Sequence, residues 1–348
     1  MRISLCSRWD HQDRKQSGDI MRRISKLAVI AVVGAVALTN ACWASAQSHY
    51  KLVKTIALPG NGGHGDWVTF DPQTRTAWIV QSPEHNVVVI DADKLTVKAV
   101  IGGIEDGNGI AVGDKYAFVA DATTNKLVVI DKNTLKQIAS VDTGGKKSDG
   151  VTIDTQNGKV FVANDDSNTE TVFEGEAPFA RVGNIELRPQ PAKDGPDVNL
   201  YVPGLDRIYQ PVDNVVDVID PNSSQVVAVW DFHLRKAAKP MVYDSQAGHL
   251  IIGSRDKKIL IVSPDGKLVD SIPFEGGDID QIAVDVAARR VFVGDKIGSA
   301  EVVDLDAKQV VDHLKTEKNA HTLAVDPATH RIFVYLDTSN KIGVYEPV

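Results

Sequence analysis

From about residue 49 onward the chain alternates short apolar runs with polar turns, and the runs recur at a fixed distance. An element that closes on Asp or Gly appears as DWVTFD to Asp71, NGIAVG to Gly113, DGVTID to Asp154, PMVYD to Asp244, QIAVD to Asp285 and HTLAVD to Asp326. The steps are 42, 41, 90, 41 and 41 residues, and the long step holds two repeats, its missing member being DVNLYV at 197–202. A self-similar period of this length makes seven repeats the organising feature of the chain. Each repeat offers a second apolar run: AWIVQ, AFVAD, VFVAN, LYVPG, LIIGS, VFVGD and IFVYL. In the fourth repeat, LYVPG overlaps the first run, so that repeat is poorly resolved. A third run (NVVVID, KLVVID, NVVDVID, KILIVS, AEVVD, KIGVYE) follows a polar turn, and a fourth, such as TVKAVI or KQIASV, follows another. Four short β-branched strands per repeat predict an all-β fold, a seven-bladed β-propeller of four-stranded blades.

The last repeat stops at its third strand, KIGVYEPV, while residues 49–58, HYKLVKTIAL, read as a fourth strand ahead of the first repeat. The N-terminal strand is therefore expected beside 341–345, closing the ring and hiding a sheet edge. One stretch breaks the rhythm. Between Asn164 and NVVDVID no clear third strand is legible and prolines accumulate, so 165–213 is read as an irregular insertion. Such a segment serves either as a lid or partner-docking loop or as a tolerated surface excursion.

Ahead of the repeats the pattern changes. Residues 1–20 mix charges without apolar period and are read as an over-extended start. Residues 21–46 carry Arg22, Arg23 and Lys26, then the apolar run LAVIAVVGAVAL, then Ala44-Ser45-Ala46. That anatomy is a cleaved signal peptide, which predicts a periplasmic protein spanning 47–348. A 12-residue apolar run is too short for a permanent membrane span, which needs about 20 residues. Lipid attachment at Cys42 is the alternative, though Thr39-Asn40-Ala41 fits a lipobox badly.

Composition sharpens this picture. The only cysteines of the 348 residues, Cys6 and Cys42, would leave with the leader, so the mature chain would lack disulfides and thiolate-held metals. The whole chain has 38 Lys plus Arg against 46 Asp plus Glu, and beyond residue 46 the count is 31 against 43. This acidic balance disfavours sequence-independent nucleic-acid binding and anionic membrane surfaces, both of which rely on Lys and Arg. A monomer is expected.

In a propeller blade the first strand lines the central channel, and the loops leading into it gather on one rim. Those loops supply His64, Asp66, Asp106, Asn108, Asp149, Asp280 and His321 as candidate ligand-binding residues. His64 and His321 belong to the first and seventh repeats, neighbours around the ring. Two neutral imidazoles facing Asp and Asn oxygens would suit a divalent metal such as zinc or manganese. The same pair could act as a general base with an orienting carboxylate. Alternatively, Asp, Asn and Gly are simply what turns are made of. The Asp that ends the third run in four repeats (Asp91, Asp131, Asp220, Asp304) is read as a cap for the next turn. Asp165, Asp166 and Glu170 look like part of a calcium loop but lack its Gly and terminal Glu. No nucleophile elbow, HExxH, P-loop or CxxCH motif is present.

The runs VFVAN and AFVAD followed by VVID resemble those of the YVTN-repeat, YncE-like β-propellers of bacterial envelopes, over nearly the whole chain beyond the leader. The resemblance implies the propeller fold and an envelope location, and it is weak for activity, since propellers host many unrelated functions. Members and relatives include a single-stranded-DNA binder, quinoprotein amine dehydrogenase heavy chains and virginiamycin B lyase-like enzymes. The resulting expectation is a binding or scaffold protein for a small ligand, metal or envelope protein on the channel rim. A lyase or hydrolase using His64 and His321 and a single-stranded-DNA binder are the alternatives.

Overall fold

The computed structural model describes residues 49–277 and 279–348. The leader and lipid-attachment expectations for residues 1–46 lie outside them, as does Asp278. Among the described residues no helix is long and apolar enough to cross a membrane. The only helical element among them is the 3-10 turn Ser82–Glu84.

Seven four-stranded antiparallel sheets form seven blades, and in six of them the four strands pair in sequence order. Blade 1 shows the plan: Trp67–Asp71, Thr76–Gln81, Asn86–Asp91 and Thr96–Gly102. The second and third strands are apolar between their polar end residues and almost entirely buried, because both of their faces meet neighbouring blades, whereas the outer fourth strand is largely exposed. Blade 7 is built from Leu323–Asp326, Arg331–Leu336 and Lys341–Pro347, and Tyr50–Ala57 supplies its fourth strand. The pairing runs from Tyr50 opposite Pro347 to Ala57 opposite Lys341, so the ring closes as the sequence predicts.

The core sits between blades. Trp78, Val80, Val87 and Val89 of blade 1 pack with Ile110, Val119, Val128 and Ile130 of blade 2. The opposite face, through Ile79 and Val88, meets Phe333, Tyr335 and Val344 of blade 7. The first strands neighbour one another around a closed inner ring. At their far end the Asp residues that mark the repeat are ionic joints between blades. Arg75 Nη2 is 2.7 Å from Asp326, Lys132 Nζ is 2.9 Å from Asp71, and Arg289 Nη1 is 2.7 Å from Asp244. The third-strand Asp residues act as turn caps: Asp131 Oδ1 accepts the N–H of Asn133 and Thr134, and Asp304 Oδ1 those of Asp306 and Ala307.

Two readings of the irregular stretch need correction. Within 165–213 lie the regular strands Thr169–Glu174 and Arg181–Glu186 of blade 3, and Leu200–Val202 and Arg207–Val212 of blade 4. The strand TETVFE escaped the pattern because Glu170 and Thr171 are polar yet fully buried. LYVPG supplies the first strand of blade 4, not its second. Only residues 187–199 form a long connection, and it leads to the channel.

Four of the first strands carry a register shift at the end where they begin. The shifts fall between Gly107 and Ile110, Ser148 and Val151, Ala238 and Met241, and Ile279 and Ile282. A bulge turns side chains out of the alternating pattern of a strand. The residues that follow the first of each pair are Asn108, Asp149, Lys239 and Asp280.

Candidate functional site

These bulges and the lead-in loops converge on one channel mouth, a cavity of about 320 Å³. Six of the seven candidates line it: His64, Asp66, Asp106, Asn108, Asp149 and Asp280. His321 lies beside them, its ring stacked on that of His64 with centroids 5.1 Å apart, and its Nε2 is 3.6 Å from Asp280 Oδ2. Trp67, Lys147, Asp197 and Lys296 complete the lining. Sequence reasoning gave none of these four a role at the site. Asp197 opens the run read as the missing first strand of the fourth repeat, Lys296 lies in a turn between strands, and half-buried Trp67 sits within the first run of the first repeat.

Charge in the mouth is unbalanced. Five carboxylates (Asp66, Asp106, Asp149, Asp197, Asp280) face two ammonium groups, Lys147 and Lys296. Asp149 is buried, and its Oδ2 accepts a 3.3 Å hydrogen bond from Asn108 Nδ2. Burial, followed by the Asp197 and Asp66 carboxylates, pushes its pKa well above the usual carboxylate range. Burial also raises Asp197, against the pull of Lys239 Nζ at 3.0 Å. Burial alone would depress Lys239, but Asp197 and Asp194 outweigh it and hold the ammonium charged. Asp280 behaves oppositely: burial acts to raise it, yet Lys296, 2.6 Å away, with His321 and Arg255 keeps it ionised.

The two histidines differ in environment. His64 is half-exposed, and its hydrogen bond to Asp66 Oδ1, 2.8 Å from Nε2, raises its affinity for a proton above that of a free imidazole. His321 is buried, which lowers its proton affinity. Asp337, just after the second strand of blade 7, joins them, and among the described residues these three form a group that could hold a metal ion. As chemistry, the mouth can neutralise a cation, donate ammonium hydrogen bonds, or accept a proton at His64.

Four other hollows share no lining residue with the mouth. A larger, open one of about 570 Å³ on blade 3, between Gly144, Ser167 and Arg181, contains one charged side chain. The calcium-loop resemblance does not assemble: Asp165 pairs with Lys147, while Glu170 points into the protein and accepts from Asn199 Nδ2 at 3.1 Å.

No protein-family model and no curated protein matches the chain. Solved structures do. A chain of Kuenenia stuttgartiensis hydrazine synthase is similar with a TM-score of 0.73 at 16% identity, over 82% of this chain and 96% of that one. At that identity the likeness establishes the architecture, and the chain is a seven-bladed β-propeller.

Proposed function

We propose that this chain is a YVTN-type, YncE-like propeller of the periplasm that acts as a binding protein, taking a small organic cation such as an amine into the channel mouth. The observation that carries the reading is the excess of carboxylates over ammonium groups, centred on buried Asp149. A carboxylate in that position either keeps a proton or waits for a positive partner, because an unpaired charge there is costly. An ammonium group would supply charge-assisted hydrogen bonds and displace the proton. The four bulges support the reading, since bulges concentrate where a strand must re-aim side chains at a ligand. The same charges oppose a polyanion, which weighs against single-stranded DNA.

Calorimetric titration with mono- and diamines, matched against alcohols and carboxylates of the same size, tests this. Amines should bind selectively, and Asp149→Asn should weaken them about 10-fold or more, as for loss of one charged hydrogen bond. Equal binding of the neutral analogues, or an unchanged affinity in a folded Asp149→Asn variant, would reject it.

A further inference from the structure

At the corner where blades 7 and 1 meet, three side chains form a cluster separate from Asp149. His64, His321 and Asp337 each place one ligand atom within 4.8 Å of the others. The side chains of His321 and Asp337 are only 1% and 2% exposed. Neither oxygen of Asp337 has a hydrogen-bond partner, and neither does Nε2 of His321. Comparable carboxylates on this rim are fully employed. Asp121 accepts backbone N–H groups from Glu105 and Thr124 at 2.9 and 3.1 Å, and Asp295 from Gly277 and Ile297 at 2.7 and 3.0 Å. Like Asp337, both stand where a second strand turns into a third.

The imidazole neighbours select the tautomers. The Asn319 carbonyl can only accept, so Nδ1 of His321 carries the hydrogen and donates it, leaving a lone pair on the unpartnered Nε2. For a neutral His64 the Asp66 carboxylate does the same at Nε2, leaving the lone pair on Nδ1. Each ring thus has one nitrogen fixed by an oxygen and one lone pair available, which is the outer-shell arrangement of metal-bound histidines. Two nitrogens and one carboxylate suit zinc and its neighbours in the first transition row, not a calcium cage of oxygens or a thiolate site. Asp280 Oδ2, 3.6 Å from His321 Nε2, is held by the ammonium of Lys296 at 2.6 Å, whereas Asp337, whose Oδ2 is 3.7 Å from His321 Nδ1, has both oxygens without a hydrogen-bond partner.

We propose that His64, His321 and Asp337 form a three-ligand site for a zinc-class divalent ion, with its remaining coordination open to the channel mouth. The site stands independently of the amine reading, which depends on Asp149. It is tested by titrating the full-length chain, purified without affinity metal and stripped by chelator, with Co²⁺ followed by Zn²⁺ competition. The expected result is saturable binding of about one Co²⁺ with a visible absorption band that Zn²⁺ abolishes. Asp337→Asn should weaken binding by at least about 10-fold, in the range seen even for outer-shell losses, while Asp149→Asn leaves it unchanged. Should Asp337→Asn fail to fold, His64→Ala at the half-exposed position is expected to give the same loss in a folded protein. Unchanged affinity in the folded ligand variants, or no saturable binding up to about 1 mM ion, would overturn the site. Loss in Asp149→Asn equal to that in Asp337→Asn would place the ion on the acidic cavity floor and overturn it as well.

Discussion

At the scale of single residues, the most consequential side chains are polar ones buried between blades. Glu170 is fully buried; burial first, then Asp217, raises its carboxyl to about 8, although the Asn199 amide pulls the other way. Burial likewise brings Asp217 and Glu301 each to about 7. All three titrate higher in the folded chain than in the unfolded one, so the native state holds more protons between about pH 4.5 and 8. Stability from these groups is therefore complete in acid and is lost as pH rises through 7 to 8. Glu170→Gln should match the wild type in melting temperature at pH 5 and exceed it at pH 9, by about 2–4 °C for each kcal/mol regained. A variant that melts lower at both pH values would show that Glu170 is held as a charged partner instead. The sequence displayed Glu170 plainly but misdirected its reading: beside Asp165 and Asp166 it suggested a cation loop, and only the strand pairing turns it inward. Asp337 was missed for a related reason, because an Asp at a strand end ordinarily serves the next turn and nothing in its neighbours marks this one as unemployed.

Among the elements, the bulged first strands decide the site. Alternation predicts that a strand sends every second side chain to one face, and a shift breaks that rule for Asn108, Asp149, Lys239 and Asp280. The bulges also require close backbone approach. A Cβ on Gly150 would lie 2.0 Å from the Asp197 carbonyl oxygen, so blades 3 and 4 touch through that glycine. Gly150→Ala is expected to cost about 1–3 kcal/mol by overpacking and to displace Asp149 and Asp197 together. Gly204→Ala, where a Cβ meets nothing within 4 Å, is the control that should leave denaturant stability nearly unchanged. Equal behaviour of the two variants in chemical denaturation would argue against a forced contact at Gly150. The lead-in residues were legible from the repeat register, which is why six of seven named positions line one cavity. The bulges were not, since a shift is a relation between two strands and a single sequence carries only one of them at a time.

For the whole molecule, ring closure is the critical bond. The strand Tyr50–Ala57 covers the edge of Lys341–Pro347, and Arg75 of blade 1 joins buried Asp326 of blade 7 at the other end of the inner ring. Removing Arg75 leaves a carboxylate with no exposed side-chain surface. Arg75→Ala should destabilise the protein by about 3–5 kcal/mol, as measured by denaturant unfolding, because a buried charge loses its partner. A loss below about 1 kcal/mol would mean the pair behaves as a surface ion pair. The sequence by itself determined the number of blades, the order of strands and the strand that closes the ring, because a period of about 41 residues and local alternation are properties of neighbouring residues. It also determined which loops share a rim, since repeats in register must place like positions together. Only the tertiary structure decided which charges on that rim find partners. Whether Asp121 is satisfied and Asp337 is not depends on backbone groups brought in from other loops, and such long-range pairing is set when blades pack.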